Sequence, residues 1–197
     1  MKRLVIMSFR FKTDYATSLP ATRYGNKGLM LYALALQYDI DDIDMLASDS
    51  LTDNHDDKGI DVLHINPERK VAVLIQGYMA RDETRPAASS SKAAAFNCAI
   101  SWALSVPLHQ VPETIRINVS NLREAINQGE VEQIVFWYVH NLNESQNVKT
   151  ELNAVERTAK SLLDTYFPDK KSTSEHVGSR ESNSGKLVFG ENSINYN

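Results

Sequence analysis

Asp61 and Gln76 are each the polar exception in an apolar run of the stretch GIDVLHINPERKVAVLIQGYM, residues 59 to 79. IDVLHI and VAVLIQGY are aliphatic and β-branched enough to be strands. The NPERK between them, a proline followed by charges, favours a tight reversal over a crossover helix. With Pro67 to Lys70 as a four-residue loop, Asn66 faces Val71 and Asp61 falls opposite Gln76. Directly opposed residues have Cβ atoms roughly 4.5–5.5 Å apart, so both side chains can hold one ion or one water. Tyr78, two residues on, points to the same face. The residues alone leave two alternatives open: an ion-binding pair, or a structural pair joined by its own hydrogen bond.

The elements that must carry this hairpin are mostly helices. NKGLMLYALALQY, residues 26 to 38, has no proline or β-branched residue and a broad apolar face, which predicts a helix. A short second helix, capped by an aspartate, follows within residues 39 to 48. Before them Pro20 reads as a breaker, and Leu4 to Phe11 as a short strand or helix. After the hairpin, Ser91 to Leu104 predicts a helix with Ser90 or Ser91 as N-cap and Ala94, Cys98 and Trp102 along its apolar side. Residues 112 to 127 predict another, opened by Pro112 and stopped by Gly129. VEQIVFWYVH, residues 131 to 140, is a strand whose continuous apolar run implies burial on both faces. A long amphipathic helix spans 144 to 167, with Val148, Leu152, Val155, Ala159, Leu162 and Tyr166 inward. The order predicts a mixed sheet covered by helices, an α/β domain over residues 1 to 167. Residues 168 to 197 read as a polar tail or linker, its last residues able to begin a strand of a further, missing region.

At 197 residues, with 42% hydrophobic and 23% charged residues, the chain can build one substantial core. A formal net charge of −4 gives no general basic footprint, so any nucleic-acid binding has to be local. Cys98 is the single cysteine, which excludes an intrachain disulfide and a cysteine-rich zinc site and fits a reducing cytoplasm. The amino-terminal apolar stretch is interrupted by Arg10 and Lys12, too soon for a signal-peptide core, and no run is long enough to span a bilayer.

DDKGIDVLHI followed by VLIQGY, with a Leu-rich helix before it and KAAAFNCAISWAL after it, resembles the amino-terminal domain of the abortive infection phage resistance (AIPR) proteins. The resemblance covers roughly residues 24 to 166. It implies a restriction-endonuclease-like fold of the PD-(D/E)XK type, a mixed β-sheet flanked by α-helices, in bacterial defence against phage. In that pattern an aspartate begins one strand, and an acid or glutamine followed by a lysine ends the next. Asp61 and Gln76 match the first two positions, whereas Tyr78 stands where the lysine belongs. The resemblance further implies a Mg²⁺ or Mn²⁺ site made by Asp61, Gln76 and the Gly77 carbonyl, serving phosphodiester cleavage in DNA or RNA. Lys92, at the start of the next helix, is the first candidate for a migrated lysine, and Lys58 the second. Asp57, the first acid of D-x-G-I-D, either braces the turn or joins the metal shell. Tyr24 and Asn26 occupy positions where related nucleases often carry a helix glutamate. His64 is expected on the face opposite Asp61, and His55 in the acidic loop. The fold is often homodimeric, no stripe here dictates pairing, and longer relatives carry a carboxyl-terminal region that would hold a regulator. The competing function is a catalytically degenerate module of the same fold that binds nucleic acid or a protein partner.

Overall fold

The structure is a computed structural model. It describes residues 15–52, 56–82, 84–142 and 145–168, together with the backbone of 172–175 and 188–196. The expectation for Leu4 to Phe11 and the residue His55 lie outside the described residues.

The elements are α1 (Leu19–Tyr24), α2 (Gly28–Tyr38), α3 (Ile43–Ser50), β1 (Val62–Asn66), β2 (Val71–Tyr78), α4 (Ser90–Leu104), α5 (Glu113–Gln128), β3 (Gln133–His140), α6 (Gln146–Tyr166), β4 (Ser172–Glu175) and β5 (Val188–Tyr196). Pro20 opens α1 instead of breaking it, because a first-turn proline lacks only an N–H that has no intrahelical partner anyway; Ser18 supplies the cap. Asp42 caps α3 by accepting from the Met45 N–H at 2.9 Å. The hairpin has the expected register, with Asn66 paired to Val71 and Val62 to Ile75. In its turn Asn66 Oδ1 accepts from the Arg69 N–H, and the Lys70 N–H donates to the Pro67 carbonyl. β2 then runs parallel to β3, Gln76 beside Tyr138 and Tyr78 beside His140, with α4 and α5 as the crossover.

The result is a mixed α/β arrangement in which the sheet β1–β2–β3 is flanked by helices on both faces. One face carries Val62, Val73, Ile75, Val135 and Trp137 against Leu31 and Leu34 of α2. The other carries Leu63, Leu74, Ile134 and Phe136 against α4, α5 and α6. Alternation of side chains along each strand separates these two cores. Among the described residues no helix is long and apolar enough to cross a membrane.

Three expectations need correction. The buried stripe of α4 is Ala93, Phe96, Ala99, Ile100 and Ala103, so Cys98 lies off it and is exposed, with Ala94 and Trp102 only partly buried. In α6 the last inward residue is Leu163, leaving Leu162 on the flank and Tyr166 53% exposed. The stretch read as a polar tail contributes two strands: β5 pairs antiparallel with β3 from Val188 opposite His140 to Asn195 opposite Gln133, and β4 pairs with β5. The free edge of β3 explains the return, since a strand buried on both faces would otherwise leave its outer backbone groups without partners.

Arg123 of α5 was not singled out by the sequence. It donates from Nε to the Ala103 carbonyl at 2.8 Å and from Nη2 to those of Trp102 and Val106, closing the carboxyl end of α4. Carbonyls there lack intrahelical donors, and a cation suits the negative end of the helix dipole.

Candidate functional site

Asp61 directly precedes β1 and is held on three sides. Its N–H donates to the Ile75 carbonyl at 2.9 Å, and its own carbonyl accepts from the Thr52 N–H at 3.3 Å and the Thr52 hydroxyl at 3.0 Å. Its Oδ2 accepts the Gly77 N–H at 2.8 Å. The ladder therefore ends with the Asp61 side chain taking over from the backbone, which fixes the carboxylate against β2. Half-buried, Asp61 has its pKa raised, chiefly by loss of water, with the Asp57 charge acting in the same direction. The Gly77 N–H and the positive charges of Lys27 and Lys92 pull the other way.

Gln76 is 3% exposed, and its Oε1 is buried without a hydrogen-bond partner among the described residues. Leaving such an acceptor unpaired costs roughly 1–3 kcal/mol. The Asp61–Gln76 hydrogen bond that a purely structural pair would make is not formed among the described residues: Asp61 turns to Gly77 instead. Above Gln76 lies the turn at Gly59, whose φ of 86° is strained for any residue with a Cβ. An added Cβ there would meet the Ala95 carbonyl at 3.4 Å and Gln76 Nε2 at 3.6 Å, ordinary contact distances, so the positive φ and not space calls for glycine where the loop passes over Gln76. Asp57 braces that turn through Oδ1, which accepts the Gly59 N–H at 2.9 Å.

The remaining expected residues divide. Lys92 is exposed in the first turn of α4, behind the cap made by Ser89, one residue earlier than expected, and its charge reaches Asp61. Lys58 does not turn to Asp61: it pairs with Asp56 and lies 5.0 Å over the Trp102 ring. Tyr78 packs on the Gln76 side of the sheet, its hydroxyl accepting from Arg85 Nη1 at 3.1 Å. Tyr24 brings no acid of its own but donates to Asp44. His64 faces the opposite core, its Nδ1 3.1 Å from the Ser50 hydroxyl.

Sequence reasoning missed two groups, Lys27 and Thr52. Lys27, between α1 and α2, donates to the Thr52 carbonyl, and the 3% exposed Thr52 bonds to the Ile60 and Asp61 carbonyls. No linear spacing relates residue 27 to residue 61; only the packing of α2 on the sheet brings them together.

As a donor set for a divalent cation, the Asp61 carboxylate and the unpaired Gln76 Oε1 are hard oxygens, and the Gly77 carbonyl is a third of the same kind. They fit Mg²⁺ or Mn²⁺ better than any thiophilic metal. Among the described residues no three His, Cys, Asp or Glu side chains converge on a metal position, so the set is limited to one carboxylate with neutral oxygens. Set beside family models, curated proteins and solved structures, the chain matches none of them.

Proposed function

We propose that this chain is a metal-dependent nuclease-like domain of the abortive-infection type, with a restriction-endonuclease-like sheet, that cleaves phosphodiester bonds in DNA or RNA. The single observation behind this reading is the unpaired, buried Oε1 of Gln76, next in the chain to the Gly77 whose N–H holds the half-buried Asp61 carboxylate. A bound Mg²⁺ or Mn²⁺ would neutralise phosphate charge and acidify water. Asp61 would supply the negative ligand, oriented by the Gly77 N–H, and Gln76 would gain the partner that it lacks. Lys92 and Lys27 place positive charge near the carboxylate, where it would stabilise a pentavalent phosphorus. Tyr78 cannot supply that charge, because a phenol carries no positive charge in either of its protonation states.

A second reading, a degenerate module that binds nucleic acid or a protein partner, is favoured by Tyr78 at the lysine position and by its bond to Arg85. The two readings part in one experiment. With Mg²⁺ or Mn²⁺, the protein should nick plasmid or degrade RNA, and Asp61→Ala should lower the rate by about a hundredfold or more, as expected for loss of a metal ligand. Undiminished cleavage by that variant removes Asp61 from the mechanism. Saturable Mn²⁺ binding by calorimetry, lost in Asp61→Asn, supports the enzyme, and its absence in wild type leaves the binding module.

A further inference from the structure

β1 is the outer strand of the sheet, with order β1-β2-β3-β5-β4. Its first part is covered: Leu51 pairs with Val62, and Thr52 donates to Asp61. Beyond that point His64, Ile65 and Asn66 run along the floor of an open groove of about 1160 Å³. α3 forms one wall and α5 the other, and Asn118 Nδ2 joins them by donating to the Asp49 carbonyl at 3.2 Å. Each wall carries an exposed apolar side chain at the groove, Met45 at 61% and Ile117 at 70%. Along an edge strand alternate backbone N–H and C=O groups point away from the sheet, and no strand lies beyond β1 among the described residues.

The groove's charges are unequally engaged. Its two basic residues are committed, Arg23 to Asp44 and Lys27 to the Thr52 carbonyl. Asp49 and Glu68 are exposed at the groove and make no ion pair among the described residues. The uncommitted charge is thus negative, which repels a phosphate backbone and attracts Lys or Arg. A second copy of the chain is disfavoured by shape: its own β1 lies at the bottom of the same groove, and two recessed edges cannot meet.

We propose that the β1 edge takes an extended peptide segment of another protein as an added strand. The backbone of that segment pairs with His64–Asn66; an apolar side chain from one of its faces lies against Met45 and one from the other against Ile117, and its basic side chains meet Asp49 and Glu68. Lys27 and Thr52 lie between this surface and the Asp61 site, but strand addition at His64–Asn66 does not depend on cleavage.

The probe is a fluorescein-labelled, acetylated hexapeptide Lys-Lys-Val-Val-Lys-Lys, which carries one valine on each face and one valine N–H toward β1, titrated by anisotropy against the full chain, with the same peptide N-methylated at both valines as control. Saturable binding is expected, with slowed amide exchange at Ile65. A loss of about tenfold is expected for the N-methylated peptide, and a similar loss for the Asp49→Lys, Glu68→Lys double variant. Both substitutions are at exposed positions, so the fold should survive them, and the wild-type exchange measurement needs no variant. Equal binding of the N-methylated peptide refutes strand addition. Absence of saturable binding, a single-stranded oligonucleotide that protects Ile65 instead, or a dimer that protects Ile65 without peptide each overturns the proposal.

Discussion

The two faces of the sheet treat polar groups in opposite ways. Toward α2, the central strands present Val73, Ile75, Val135, Trp137 and Val139 without a polar interruption. Toward α4 the same strands begin with Leu74, Ile134 and Phe136 and then turn polar at one end, where Gln76 lies beside Tyr138 and Tyr78 beside His140. Of that polar end only part is satisfied. The Tyr138 hydroxyl donates to the Ser89 carbonyl at 2.9 Å, while Gln76 Oε1 has no hydrogen-bond partner among the described residues and the His140 ring meets only the Leu142 backbone, outside good hydrogen-bond geometry. Unpaired polar atoms under a well-packed helix work against stability. His64 Nε2 on the opposite face and Asn97 Oδ1 of α4 are also buried without a partner among the described residues, yet Gln76 and His140 gather at this one end, on the side of Asp61, which indicates that this region answers to something other than packing.

The largest effect expected from this contrast is at His140, which has no measurable exposure. Burial holds its pKa down to about 4 from an ordinary 6.5, against a smaller upward pull from the Leu142 backbone. Above pH 6.5 neither the folded nor the unfolded chain protonates it. As pH falls from there toward 4, the unfolded chain takes up a proton that the folded chain refuses, and stability drains away until the folded pKa is passed. The loss is on the order of 3 kcal/mol for the depression cited. Urea denaturation of wild type and His140→Phe should therefore diverge in pH dependence between neutrality and about pH 5, wild type losing more. Parallel curves would mean that His140 is solvated or paired, and the polar end would lose its sharpest member.

How much of this was legible can be judged on the same residues. The hairpin register was legible from its four-residue loop, and Val62 to Asn66 pair with Ile75 to Val71 as expected. Asp61 lies just before β1 with its N–H on the Ile75 carbonyl, so its opposition to Gln76 by parity is not among the pairs of the ladder. β3 was legible because an unbroken apolar run has no solvent-facing side. The phase of α4 was not: alanines at 93, 94 and 95 suit either side of a helix, and only Phe96 and Ile100, too large for the surface, decide which stripe turns inward. Arg123 and Lys27 act on backbone carbonyls far away in sequence, and such bonds leave no periodicity to read. β5 was hidden by its polar middle, Gly190-Glu191-Asn192-Ser193, since pairing beside β3 is decided by the sheet's need for an edge partner.

A second measurement separates the two roles of Asp61. Its raised pKa means that the folded chain favours the proton, so ionisation at neutral pH weakens the fold, and stability from this group rises as pH falls through its folded value. Asp61→Asn removes the charge and keeps an oxygen for the Gly77 N–H. Asp61→Ala leaves that N–H without its acceptor. Thermal or urea denaturation near neutral pH should rank Asn equal to or above wild type, with Ala about 1–2 kcal/mol below Asn. Both variants should fail in Mn²⁺ binding, so a stable but inactive Asn variant would mark the carboxylate as retained at a cost to the fold. An Asn variant as unstable as Ala would return Asp61 to a structural part.

The smallest effect tests whether Gly77 belongs to the apolar face or to the polar end. A Cβ at this position would come 2.7 Å from Met30 Sδ and 3.0 Å from its Cε, on the α2 side. The glycine therefore makes room for a 3% exposed methionine and leaves the Asp61 side of the strand untouched. Methionine is flexible enough to give way, which keeps the expected cost of Gly77→Ala to about 1 kcal/mol. Most of that cost should vanish in a Met30→Ala background, read from a double-mutant cycle by urea denaturation, while Mn²⁺ affinity stays the same throughout. A cycle with no coupling but a loss of Mn²⁺ binding would reverse the assignment, because the added methyl would then be felt through the Gly77 backbone that Asp61 holds.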